Sequence, residues 1–345
     1  MNDLLLPQSL RPKGSSPING FQLPESASAC LPSGWGVEQL PRVLRIQSIA
    51  QLRNIGAESI NRAVLTHQRC KLCVDWIADT TDHRLYRHRL VSLQPAQTAS
   101  SQHGALRIER LLPAEQPLPT LNLFETVPPG WVKDRRLVRR AAELWEELPR
   151  PLAALVNAVL WEGRRFHRFV TGPASLQQDP RVRNGNFMHS IEVAERARAL
   201  ARQHPQADVP LLIASGLLHN VAKAEEMRLD RTQGNDRDTE VAGPGAMAIK
   251  WISEAKTAGG VAMDAESYWK LLNMIAVVSH CPRLSLVGQR GRGGKLGQDA
   301  ARLLKATREV QMAGDAQRSR VGLPNGAPVY TLPVARPDQV QRETT

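Results

Sequence analysis

The sequence predicts an α+β chain built from two unlike parts, a strand-rich N-terminal domain followed by an all-α helical bundle. Three observations predict it. The 345 residues are enough for about two domains at roughly 150 residues each. Short alternating or β-branched runs stop near Thr126, and beyond it apolar residues recur every three or four positions. The composition, 42% hydrophobic with 23% charged and 4% aromatic residues, excludes a collagenous or wholly disordered chain. The expected divisions are a disordered tail over 1–38, the strand-rich domain over 39–126, the helical domain over 127–320 and a second tail over 321–345.

Residues 1–38 hold five prolines with many serines and glycines and no apolar period, the composition of a tail. Strands are expected at 42–47 (RVLRIQ), 71–79 (KLCVDWIAD), 83–93 (HRLYRHRLVSL) and 104–112 (GALRIERLL). The stretch 57–68, AESINRAVLTHQ, reads as a helix. A small OB-type barrel is one arrangement of such strands that would suit nucleic acid, although alternation alone does not order them.

Helical periodicity then runs through 135–148, 151–161, 187–202, 211–226, 245–255, 265–280 and 300–311. Pro149, Pro151, Gly172, Pro210, Gly243, Gly245 and the glycines of 291–297 punctuate the gaps. The longest apolar run, 209–218, contains Pro210 and Ser215 and falls short of the roughly 18 residues a membrane helix needs. No membrane partner is expected. The first residues carry neither a basic leader nor a signal-type apolar core, so the cytoplasm is the expected compartment.

Cys70 and Cys73 form C-x-x-C, with His67 three residues earlier, while Cys30 and Cys281 stand apart. No second C-x-x-C or H-x-x-H completes a zinc site, so buried structural thiols are the better reading. The formal net charge of +12 and a pI near 10.1 make a polyanion the natural partner.

Basic residues cluster in three places. The first holds Lys133, Arg135, Arg136, Arg139 and Arg140, and the second holds Arg164, Arg165 and Arg168 beside Trp161 and Phe166. The third, between Cys281 and Arg320, has nine Lys/Arg against three acids and includes Arg290, Arg292 and Lys295 in GQRGRGGKLG. Arginines that track phosphates beside aromatic rings can hold single-stranded RNA or DNA. Solvated faces are the plainer alternative, and GQRGRGGKLG lacks the Walker spacing.

His189, in NFMHSIEVAERA, and His219, in LLIASGLLHNVAKAEE, sit in apolar helical stretches where two imidazoles could converge on a metal. With LWEGRRFHRFVTGPAS, RNGNFMHSIEVAERA, GLLHNVAKAEE and VVSHC in order, the chain resembles the HD superfamily of metal-dependent phosphohydrolases. More narrowly, 123–315 resembles the HD-domain 3′–5′ exoribonucleases and the TraI-type HD proteins of integrating conjugative elements. The resemblance implies an HD-type helical bundle after a β-domain, with a divalent cation that activates water against a phosphodiester.

This chain departs from the implied ligand set. The resemblance places His189, His219, Asn220 and His280 at metal-ligand positions and Lys223 at the phosphate-stabilising, catalytic one. Asn220 stands where a carboxylate is expected, and a neutral amide is a poor ligand for a hard cation. Asp179 and Pro180 replace paired histidines, Ala246 replaces another, Cys281 follows His280, and the final aspartate falls near Arg308.

The leading expectation is therefore a degenerate HD-domain protein, a pseudoenzyme that binds single-stranded nucleic acid. No cofactor is expected, and any metal held would be a transition metal such as Mn, Zn or Ni. The alternatives are a divergent metal-dependent 3′–5′ exonuclease or phosphohydrolase using His189, His219, Lys223 and His280 around one transition metal, with rescue of the family chemistry requiring Asp179, Glu225 or Glu226, and an assembly or docking protein of a mobile element with a protein partner.

Overall fold

Strand β1 (Leu44–Arg53) pairs antiparallel with β2 (Ser59–His67), and β2 pairs with β3 (Cys70–Ile77). The computed structural model describes residues 40–53, 59–67, 70–78, 82–96, 101–102, 105–173, 183–223, 237–258, 260–279 and 295–321. The expected tails lie outside these residues except for Val321, as do His280, Arg290, Arg292, Asp179, Glu225 and Glu226.

Strand β4 (Leu90–Pro95) lies antiparallel to β1, and β6 (Ala105–Pro113) lies antiparallel to β4. The two-residue β5 (Ser101–Gln102) caps β6. A parallel pairing of β3 with β6, through Val74 with Leu106 and Asp75 with Arg107, closes the sheet. Five strands thus form a barrel in the circular order β1-β2-β3-β6-β4. Its interior holds Leu44, Ile46, Leu65, Leu72, Val74, Trp76, Val91 and Ile108.

The stretch 57–68, expected as a helix, contains β2 instead. Ala63 and Leu65 point into the barrel, while Val64 and Thr66 are also buried on the other side. Burial on both faces removes the alternation that marks a half-buried strand. The strand expected over 83–93 is confined to its end. Residues 82–89 form turns instead, with Asp82 accepting the backbone N–H of Arg84 at 2.9 Å and His88 in a left-handed conformation, φ 78°.

A short 3-10 turn (Leu123–Thr126) joins the barrel to eight helices among the described residues. These are α1 (Arg135–Glu146), α2 (Arg150–Leu160), α3 (Gly163–Thr171), α4 (Gly185–Arg202), α5 (Val209–Leu218), α6 (Arg237–Ala258), α7 (Ala265–Val278) and α8 (Lys295–Val321). Asp134, Glu162, Asp208 and Asp264 cap α1, α3, α5 and α7 by accepting first-turn N–H groups. Helix α6 breaks at Gly243 (φ 75°) before Pro244.

Two expectations change. Helix α5 stops at Leu218 with His219 as its C-cap, short of the expected 226. Helix α3 is additional, carried by Phe166, Phe169 and Val170 on its buried face. Among the described residues no helix is long and apolar enough to cross a membrane.

The barrel and bundle share one seam. Val43, just before β1, and Leu90 of β4 pack into the core formed by the helices. Between them Arg45 is fully buried. Its Nη1 donates to the His88 carbonyl at 2.6 Å, and its Nη2 donates to Thr126 Oγ1 at 2.7 Å. Its guanidinium lies 4.7 Å from the Phe166 ring and 5.3 Å from the Trp131 ring. Gly163 permits the contact from the helical side, because a Cβ there would lie 2.4 Å from the His88 carbonyl oxygen.

Candidate functional site

Helices α4 and α5 cross closely because Gly216 has no side chain. A Cβ on Gly216 would meet the Ala194 Cα at 2.6 Å. This crossing carries His189 of α4 and His219, the C-cap of α5, to 5.5 Å between ring centres. His219 is buried, and His189 is half-buried.

His219 Nδ1 lies 2.8 Å from the Gly216 carbonyl oxygen. A carbonyl can only accept, so Nδ1 carries the proton and Nε2 keeps its lone pair. Nε2 is buried and has no hydrogen-bond partner among the described residues. Burial, the neighbouring His189 charge and Lys223 lower the His219 pKa to about 3, despite the Gly216 bond that raises it. Burial and then Lys223 lower His189 to about 4. Both rings are neutral at pH 7, the form that binds metals.

Two buried polar residues beside this pair escaped the sequence reading. Asn186 Nδ2 donates to the Asn220 carbonyl at 3.2 Å, while Asn186 Oδ1 and Ser190 Oγ have no partner among the described residues. The available signal was a polar triplet, Asn186, His189 and Ser190, at helical spacing in an otherwise apolar stretch.

A divalent cation is the group that the HD resemblance implies. Nδ1 anchored on a backbone carbonyl and a buried lone pair on Nε2 are what a metal-ligating histidine needs. A hydrolytic centre needs further ligands, usually with a carboxylate. Among the described residues no group of three or more His, Cys, Asp and Glu could hold a metal ion. The described residues therefore do not fit a hydrolytic centre. Ala246 is half-buried and Arg308 is exposed on α8.

Lys223 lies just beyond His219, with its backbone N–H bonded to the Asn220 carbonyl at 3.1 Å. The C-x-x-C pair divides across its strand. Cys70 joins the barrel interior, whereas Cys73 packs outside with Val64 and Ala105, so the two thiols cannot chelate one ion. Burial raises the pKa of both thiols.

The basic residues of α1 and α3 make separate contacts. Arg136 and Arg139 of α1 are exposed, and Arg139 lies 3.9 Å from Glu143. Arg140 forms a two-bond ion pair with Glu195, and Arg135 donates to the Val127 carbonyl at 3.2 Å. On α3, Arg164 lies 5.4 Å from the Tyr86 ring and Arg165 lies 4.0 Å from that of Trp251, while Arg168 is half-buried. Phe166 and Trp161 are core residues. Lys295 begins α8.

No curated protein and no solved structure matches the chain. The family model for the HD domain matches residues 186–245, a stretch that holds Asn186, His189, Ser190, His219, Asn220 and Lys223, and this match supports the HD superfamily for the helical part of the chain.

Proposed function

We propose that this protein binds single-stranded RNA or DNA and that its HD-type bundle serves as a scaffold rather than a hydrolase. The strand order of the barrel carries this reading. The circle β1-β2-β3-β6-β4, closed by a parallel β3–β6 pair, supports reading the barrel as OB-type, a fold that binds oligonucleotides. The net charge of +12 supplies the attraction that such binding uses. Asn220 in place of a carboxylate, beside two neutral imidazoles, supports a scaffold over a water-activating centre.

One observation favours a second reading, a divergent metal-dependent phosphohydrolase. His219 Nε2 keeps a lone pair buried and unpartnered among the described residues, 5.5 Å from a second imidazole by ring centres. A 5′-labelled single strand, incubated with the protein and Mn²⁺ and resolved on native and denaturing gels, separates the two readings. The expected result is a shifted, full-length strand whose binding weakens steeply between about 50 and 200 mM salt. A 3′-to-5′ ladder that disappears with EDTA and in His219→Ala would overturn the scaffold reading.

A further inference from the structure

We infer that the seam between barrel and bundle seats one nucleotide of the bound strand, with its base against Trp131 and its phosphate between Lys71 and Arg87. The inference rests on the single-strand reading above and gives it a location. A cleft of about 470 Å³ opens where β1, the β2–β3 end, the turn before β4 and the segment 128–131 meet. That volume falls within the usual range for a small-molecule site.

The chemistry of its wall is selective. Lys71 and Arg87 line it together with Trp131, Gln47, His67 and His88, and among the described residues no Asp or Glu does. Two cations without a carboxylate favour an anion, and an indole face favours a planar ring. Gln47 is exposed and offers both an amide donor and an acceptor. A nucleotide combines a phosphate, a ring and polar ring edges.

Trp131 is also held in place. Its ring meets His88 edge-on at 5.1 Å and 77°, and His167 at 4.7 Å and 80°. Its backbone N–H bonds to the Pro128 carbonyl at 3.0 Å, and its own carbonyl accepts Asn184 Nδ2 at 2.8 Å. A wall fixed before the ligand arrives loses little freedom on binding.

The outer β2–β3 face, where OB-type barrels lay their strands, offers less. Arg62 there is held by both carboxylate oxygens of Asp75, at 2.7 and 2.6 Å. Trp76 points into the barrel interior, and no other aromatic residue lies on β2 or β3. At the seam two cations and an indole ring line one cleft.

The test uses the full chain labelled with 5-fluorotryptophan, which has seven tryptophans. The ¹⁹F signal lost in Trp131→Phe belongs to Trp131. On titration with a uridine 12-mer that signal is expected to shift, and Lys71→Glu with Arg87→Glu is expected to weaken binding by roughly tenfold with an unchanged urea midpoint. Oligonucleotide binding that leaves the Trp131 signal in place and is indifferent to the charge reversals would overturn the seat while leaving the single-strand reading intact. Binding of uridine monophosphate alone, or of neither ligand, would overturn both. An equal shift with polyglutamate would overturn the seat in favour of an acidic peptide.

Discussion

The imidazoles of His88, in the turn before β4, and His167, on α3, lie stacked with 4.1 Å between their centres and 7° between their planes. One ring comes from the barrel and the other from the bundle, so the stack reports on the seam. Burial lowers the His88 pKa to about 3, helped by the charges of His167 and Arg87, and lowers His167 to about 4, helped by Arg87 and Arg45.

The sign of the pH dependence follows. Unfolded histidine titrates near 6.5, so these two rings take up protons on unfolding at any pH between about 4 and 6.5. Stability is complete above that window and falls as pH drops through it. Near pH 5 the pair should contribute a slope of about 2.7 kcal/mol per pH unit. Urea midpoints at pH 5 and 7 check this, and His167→Gln should remove about half of the pair's contribution, while His189 and His219 add to the slope in the same direction.

Arg45 should be the most costly charge to remove. Truncation to Ala leaves the His88 carbonyl and Thr126 Oγ1 without their guanidinium partner and opens a void between Phe166 and Trp131. The expected loss is on the order of 3–5 kcal/mol by urea unfolding. Arg45→Lys should lose less, since it keeps the charge but not the fork that reaches both acceptors.

Gly216→Ala should destabilise by about 1–3 kcal/mol and separate the two histidines. The nearest atom to the added methyl is the Cα of Ala194, which is backbone. Ala194→Gly should therefore fail to rescue the variant, a result that thermal unfolding of the single and double variants checks.

The histidine pair should take up Zn²⁺ or Ni²⁺ weakly at pH 7, and either His189→Ala or His219→Ala should abolish it. Asn220→Asp should strengthen uptake about tenfold or more by restoring a charged oxygen ligand. Calorimetric titration of the metal alone measures both, without reference to activity.

Helix α1 was legible because it buries one face. In α1, Leu137, Val138, Ala141, Leu144 and Trp145 are buried at helical spacing, and the sequence displays that period directly. Strand β2 was illegible because Val64 and Thr66 are buried outside the barrel while Ala63 and Leu65 are buried inside it. His189 and His219 stood out as isolated imidazoles in apolar runs. Arg45, His88, Trp131 and His167 did not, because docking brings them together from distant segments. Arg45 and Thr126 alone are 81 residues apart. In sequence Arg45 is one arginine among many, and nothing local distinguishes a cation that becomes enclosed from one that stays in water.

Arg45 also gives the seam a clock. Synthesis proceeds from the N-terminus, so the last barrel strand, ending at Pro113, emerges before Thr126, Trp131 and Phe166 do. Until those residues arrive the guanidinium stays hydrated on an outer barrel face, and its dehydration coincides with docking of the helices. In the finished protein the same event runs in reverse whenever the two parts separate. A dicarbonyl reagent can reach Arg45 only during such openings, so the rate at which this one arginine is modified under native conditions counts how often barrel and bundle come apart.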